Sequence, residues 1–183
     1  MQVTTTSRTE RNILIQELNS LKLVFASRDK DNIADLFNFP IAQDEFGIYI
    51  DDSIFNKQLD DNKGKISKRM FIDFFPKIYS DAQIEQLNEL FNKIDLEEIQ
   101  EKDTLKAETK IKSEPCYKFY EVSVDKNEVT LTTGYGVNND YQSKSTGENE
   151  IQENSSEFCE SVLWWTFELK DSKLKFKRIS GAG

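Results

Sequence analysis

The sequence predicts an α+β domain in which N-terminal helices pack on a strongly bent antiparallel sheet that ends in a four-strand meander. Three observations carry this prediction. Apolar residues recur at helical spacing as far as Ile94, the spacing changes to two beyond Lys112, and the helical period does not return after the switch. At 183 residues the chain has the length of one domain. That domain is read over 1–183, with a polar lead at 1–7 and a polar loop at 138–157 that has too little apolar surface to order itself.

The elements follow in order. Ser7-Arg8-Thr9-Glu10 is a capping box, and Leu14, Leu18, Leu21 and Phe25 behind it mark a helix over 8–26. A cap-rich stretch from Ser27 to Asp31 precedes a short second helix with Ile33, Leu36 and Phe37, closed by Asn38-Phe39-Pro40. Residues Ile41 to Ile50 read as a hairpin around Gln43-Asp44-Glu45, followed by a polar loop through Asp60-Asp61-Asn62-Lys63-Gly64. Ser67 caps a helix carrying Met70, Phe71, Phe74 and Phe75, which Pro76 is expected to stop. Ser80 and Gln83 form a second capping box for a helix over 81–94. The charged stretch from Leu96 to Lys112 supports no assignment. Beyond it, 117–124, 129–137, 158–169 and 174–179 alternate as four strands.

Composition excludes several chemistries. With no histidine there is no Ser-His-Asp or Cys-His nucleophile, no imidazole zinc site and no histidine pH switch. The 24 Lys+Arg against 33 Asp+Glu leave a net charge of -9, which phosphate backbones repel, so no nucleic-acid partner is expected. The basic run Lys173 to Arg178 alternates with Leu174 and Phe176 and reads as a solvated sheet face. No run of about 18 apolar residues exists, so no membrane span is expected. The polar lead fits either the start of a cytosolic protein or the remnant of a removed secretion signal, with a periplasmic or secreted site favoured. Cys116 and Cys159 each open a predicted strand with one strand between them. That is about twice the 4.8 Å strand spacing, beyond the roughly 7 Å that a disulfide spans, so buried free thiols are expected.

The order of elements resembles the nuclear transport factor 2-like superfamily. The resemblance is carried by Phe25-Ala26-Ser27-Arg28-Asp29, by Leu36-Phe37-Asn38-Phe39-Pro40-Ile41, and by Trp164-Trp165-Thr166-Phe167 with Phe176-Lys177-Arg178-Ile179. It implies a cone, similar to cystatin in outline, whose helices wrap a bent sheet around an internal pocket. The superfamily includes isomerase-like enzymes, dehydratases and cyclases, and also members without catalysis. Isomerase-like members place a general-base Asp before the Pro of the first strand, where this chain has Phe39. The dehydratase-like arrangement requires the missing histidine.

Aromatic residues with one polar tip suit a partly apolar ligand, which makes Trp165, Tyr135 and Tyr117 candidate binding residues, with Phe39 as a purely apolar fourth. Alternation sends Trp164 and Trp165 to opposite faces. Gly134-Tyr135-Gly136 reads as a bulge or bend. Asp44-Glu45 and Asp51-Asp52 read as turn acids. The loop at Asp60–Gly64 fails the EF-hand pattern, and neither a metal nor a cofactor is expected. The expectation is a non-enzymatic binding or interaction module for a small apolar or amphipathic ligand, or for a second copy docked through the sheet face. The alternative is a small lyase or isomerase using Asp51 as base and the Tyr117 hydroxyl as proton donor.

Overall fold

The computed structural model describes residues 8–141 and 159–183. Helix α1 (Arg8–Ser27) buries Leu14, Ile15, Leu18, Leu21 and Phe25 along one stripe. The predicted cap Ser7 lies outside the described residues. Arg11 is also buried, with its charge satisfied. Its guanidinium donates to the carbonyls of Ile99 (2.6 Å) and Lys102 (3.2 Å) and ion-pairs with Asp103. Helix α2 (Lys30–Ala34) is capped by Asp29, whose carboxylate accepts from the N–H groups of Asp31 and Asn32.

The segment after the cis Phe39–Pro40 bond departs from the expected hairpin. Strand β1 (Ile41–Ala42) instead pairs with β2 (Lys65–Ile66), and Gln43–Phe46 forms the short helix α3. The Gln-Asp-Glu stretch thus starts a helix rather than a turn, because Phe46 at its end is fully buried and Gly47 closes it in the left-handed region (φ 65°). Between β1 and β2 lies α4 (Ser53–Asp61), which the sequence reading missed. Its cap is Asp52, accepting from Ile54 and Phe55 N–H, so one of the turn acids is a helix cap.

Ser67 caps α5 (Lys68–Asp73) as expected, accepting from Met70 N–H. Pro76 does not end the helical run. It sits in the first turn of α6 (Phe75–Asp81), where its missing N–H has no partner to lose. Ser80 therefore lies inside α6, and the second capping box does not form. Gln83 starts α7 (Ile84–Lys93) in a left-handed conformation without a side-chain cap. A 3-10 turn (Leu96–Gln100) follows.

Among the described residues the sheet has five strands rather than four: β3 (Thr104–Thr109), β4 (Cys116–Asp125), β5 (Glu128–Val137), β6 (Ser161–Lys170) and β7 (Lys173–Ala182). All neighbours are antiparallel and in chain order. The extra strand comes from the unassigned charged stretch; Leu105 is its one fully buried position, and pairing with β4 supplies the rest. Among the described strands the one shift of register lies between Thr166 and Phe167 of β6, where Lys177 of β7 is the extra residue between their partners Arg178 and Phe176. Gly134 and Gly136 stay in register and make no bulge, contrary to expectation. A Cβ at either would lie 2.5 Å from the ring of Phe119 or Tyr117, so these glycines exist to let two rings cross the neighbouring strand. The outer edge of β7 is partly occupied, since Leu174 N–H donates to Glu17 of α1 at 3.0 Å.

One face of the sheet and the helices share a single core. Trp165 is 1 % exposed and meets Phe25 edge-on at 5.8 Å, while Phe37 lies 4.4 Å from Phe176. The basic alternation holds as far as Phe176, with Leu174 and Phe176 buried and Lys173 and Lys175 exposed, and breaks where Lys177 and Arg178 are exposed in succession at the register shift.

Cys116 and Cys159 form a disulfide with Cα atoms 5.3 Å apart, which overturns the expectation of free thiols. Cys159 does not open a strand. It precedes β6, whose last pairing with β5 is Ser161 with Tyr135, and from there the chain closes over the end of β5 onto Cys116. Strand spacing therefore does not limit the distance.

Candidate functional site

Period-two alternation places Tyr117 and Phe119 of β4, Gly134 and Gly136 of β5, Val162 and Trp164 of β6, and Ser180 and Ala182 of β7 on the face opposite the core. Across the strands, Phe119, Gly134, Val162 and Ala182 stand in one register row. The missing side chain at Gly134 leaves a trough, and a groove of about 540 Å³ opens there between Phe119 and the Val162–Ala182 pair. That volume lies within the roughly 300–1,000 Å³ of small-molecule sites. Glu160, Ser161 and Gly183 complete the rim, and Tyr135 contributes to the wall. Among the described lining residues, Glu160 is the one charged side chain. Beside the groove, Tyr117 and Phe119 have ring centroids 6.2 Å apart, and the Lys110 ammonium sits 4.7 Å over the Tyr117 ring.

A second polar arrangement lies on the core-facing side, where α7 crosses β4 and β5. Glu89 accepts from Tyr120 hydroxyl at 2.5 Å and from Lys118 at 2.9 and 3.0 Å. Three residues earlier on the same helix, Gln86 donates to the Tyr135 hydroxyl at 3.0 Å. Burial disfavours the Glu89 charge, but the Tyr120 hydroxyl and the Lys118 ammonium outweigh it and hold the carboxyl below the ordinary glutamate range. Burial, reinforced by Glu89, pushes the Tyr120 hydroxyl well above the ordinary tyrosine value. The pair is thus an ionised acceptor and a protonated donor at neutral pH. A carboxylate so stabilised is a weak general base, which suits positioning better than proton transfer. Gln86 Oε1, Thr133 Oγ1 and Trp165 Nε1 are buried here and in the adjoining core without a hydrogen-bond partner.

Glu89 also sets a pH dependence. Its folded-state pKa is depressed, so its contribution is complete above the unfolded value near 4.5 and is lost as pH falls through the folded value. Denaturation between pH 3 and 7 should therefore show stability dropping below about pH 4.5. In Glu89→Gln the drop should be shallower, and the cost at pH 7 about 1–2 kcal/mol, because the pair is only partly buried. An unchanged acid limb in the variant would remove Glu89 from this role.

The residues singled out from the sequence fall in different places. Tyr135 borders the groove, while its hydroxyl accepts from Gln86 on the core-facing side of the sheet. Tyr117 stands on the outer face beside Phe119. Trp165 lies in the core, and Phe39 packs on its margin against Phe37 and Phe71. Asp51 is exposed on the segment before α4, its backbone N–H donating to Asp81 at 3.3 Å, and nothing brings its carboxylate to Tyr117. Phe119, Val162, Glu160 and Glu89 were not singled out. Phe119 shares a face with Tyr117 by simple alternation, and the two glycines opposite them were the available signal. Among the described residues no three Cys, Asp or Glu side chains converge to hold a metal ion, and no helix is long and apolar enough to cross a membrane. Comparison with known proteins finds no matching family model, no similar curated protein and no similar solved structure.

Proposed function

We propose that this protein is a non-enzymatic binding module whose outer-face groove takes a small apolar or amphipathic ligand. The observation that carries the reading is the trough at Gly134, walled by Phe119, Val162 and Ala182 and of small-molecule size. The Glu89–Tyr120 pair, which resembles an acid–base couple, is locked in its ground state by Lys118 and supports binding over the lyase or isomerase alternative. In this reading the chain is a distant relative of the nuclear transport factor 2-like cone. Support comes from the order of helices, a short β1–β2 pair and a closing antiparallel sheet. The disulfide favours an oxidising compartment, periplasmic or secreted.

The test is titration with N-phenyl-1-naphthylamine, a neutral apolar fluorophore. Saturable binding is expected. Ala182→Trp should fill the groove from an exposed position on β7 and weaken binding at least about tenfold, the factor that 1.4 kcal/mol represents. An absence of saturable binding, or equal affinity in the folded variant, would remove the groove as the binding site.

A further inference from the structure

We infer that the groove selects amphiphiles whose polar end is a cation, such as a protonated or quaternary amine on an apolar body; this rests on the binding reading above. The first support is charge. Among the described lining residues the only ionised side chain is the exposed carboxylate of Glu160, so an anionic head group finds no counter-charge in the rim. Two described lysines on neighbouring segments, Lys110 and Lys118, do not reverse this. Lys110 is paired with Glu108 at 3.2 Å, and Lys118 points to the opposite face, where Glu89 binds it at 2.9 Å. The net charge of -9 adds a long-range field that draws cations and repels anions.

The second support is the aromatic wall. An ammonium is attracted to the face of an aromatic ring within about 6 Å of its centroid. This face already holds one, since Lys110 lies 4.7 Å above Tyr117. Phe119 is the next ring along the same face and lines the groove itself. Its ring is held against the backbone by Gly134, where a Cβ would collide at 2.5 Å. A ligand ammonium seated between the Phe119 ring and the Glu160 carboxylate therefore repeats an arrangement that the protein makes with its own lysine. The apolar body of the ligand then lies along Val162 and Ala182, which face each other in register.

The experiment displaces N-phenyl-1-naphthylamine from the full chain with three ten-carbon amphiphiles below their micellar concentrations: decyltrimethylammonium, decyl sulfate and decyl maltoside. Decyltrimethylammonium should compete about tenfold better than decyl sulfate, with the neutral compound between them. The preference should shrink between 20 mM and 500 mM salt, and Glu160→Lys should abolish or invert it when each competitor is referred to the variant's own fluorophore affinity. Equal competition by the three, a preference for the sulfate, or a preference unmoved in Glu160→Lys would overturn the inference while leaving the groove intact. No fluorophore binding at all would sink the binding reading itself. The salt series uses the unaltered protein, so the inference stays testable if the variant fails to fold.

Discussion

Replacing Cys116 and Cys159 together by alanine is expected to lower the unfolding free energy by about 4 kcal/mol. The bond closes a sequence separation of 43 residues, and cross-linking a loop of that length removes a corresponding share of the entropy of the unfolded chain. The effect is large against the 5–15 kcal/mol that typically stabilises a domain. The folded state has its own reason to respond. The bond joins the start of β4 to the residue two before β6, the two strands that carry Phe119 and Val162 on opposite sides of the Gly134 trough. Its loss frees the ends of both walls, so fluorophore affinity should fall with stability. Urea denaturation of the double variant, and of the unaltered protein with and without reductant, checks this. The reduced protein should unfold near the midpoint of the double variant, and three coincident midpoints would show that the bond contributes nothing.

Elements with long repeating patterns were legible because they carry their own signal. Helix α1 offers five buried apolar positions in one stripe, and β4 to β7 each carry buried apolar residues at a spacing of two, such as Tyr120, Val122 and Val124 of β4, Val129 and Leu131 of β5, Trp165 and Phe167 of β6, and Leu174 and Phe176 of β7. Of the short pieces between Ile41 and Asp81, α5 was legible from its Ser67 cap, but the others were not, since their state is decided by partners distant in sequence. Ile41 becomes a strand residue only because Ile66 lies opposite, twenty-five positions away. Helix α4 buries just Phe55 fully, too little for a periodic stripe, although Asp52 was a readable cap. Thr104–Thr109 needed β4 beside it before its alternation of exposed Thr104, Lys106 and Glu108 meant anything.

The site was half legible for a related reason. Aromatic residues on strands were visible, but the sequence alone does not say which of two faces a helix will cover. Tyr135 pairs with Lys118, so Tyr117 and Tyr135 project to opposite sides of the sheet despite standing on adjacent strands. Trp165 and Trp164 divide in the same way, as alternation required. The disulfide is hidden in the sequence because the strand pattern runs through Cys159, whereas β6 begins at Ser161, and this two-residue offset changes the attainable distance from two strand spacings to 5.3 Å.

Gly47→Ala is expected to cost about 3 kcal/mol, and Gly64→Ala only about 1 kcal/mol, although both glycines sit in the left-handed region. Their backbones are nearly the same, with φ of 65° and 72°, so the conformational part of the cost is shared. Their surroundings differ. A Cβ on Gly47 would fall 1.9 Å from the carbonyl oxygen of Ile179, whereas at Gly64 nothing lies within 4 Å. The obstacle at Gly47 is backbone of β7, fixed by its pairing with Trp165, so it cannot turn aside as a side chain would. Relief requires α3 to lift from β7, which withdraws the fully buried Phe46 from its contact with Phe37 and uncovers strand edge at Ile179. The difference between the two variants in urea denaturation thus isolates the steric component, about 2 kcal/mol, from the conformational one they share. Light scattering should rise for Gly47→Ala alone, because only that variant exposes an unpaired edge. Equal losses in the two variants would place the whole cost in backbone conformation and leave the approach of α3 to β7 without energetic weight.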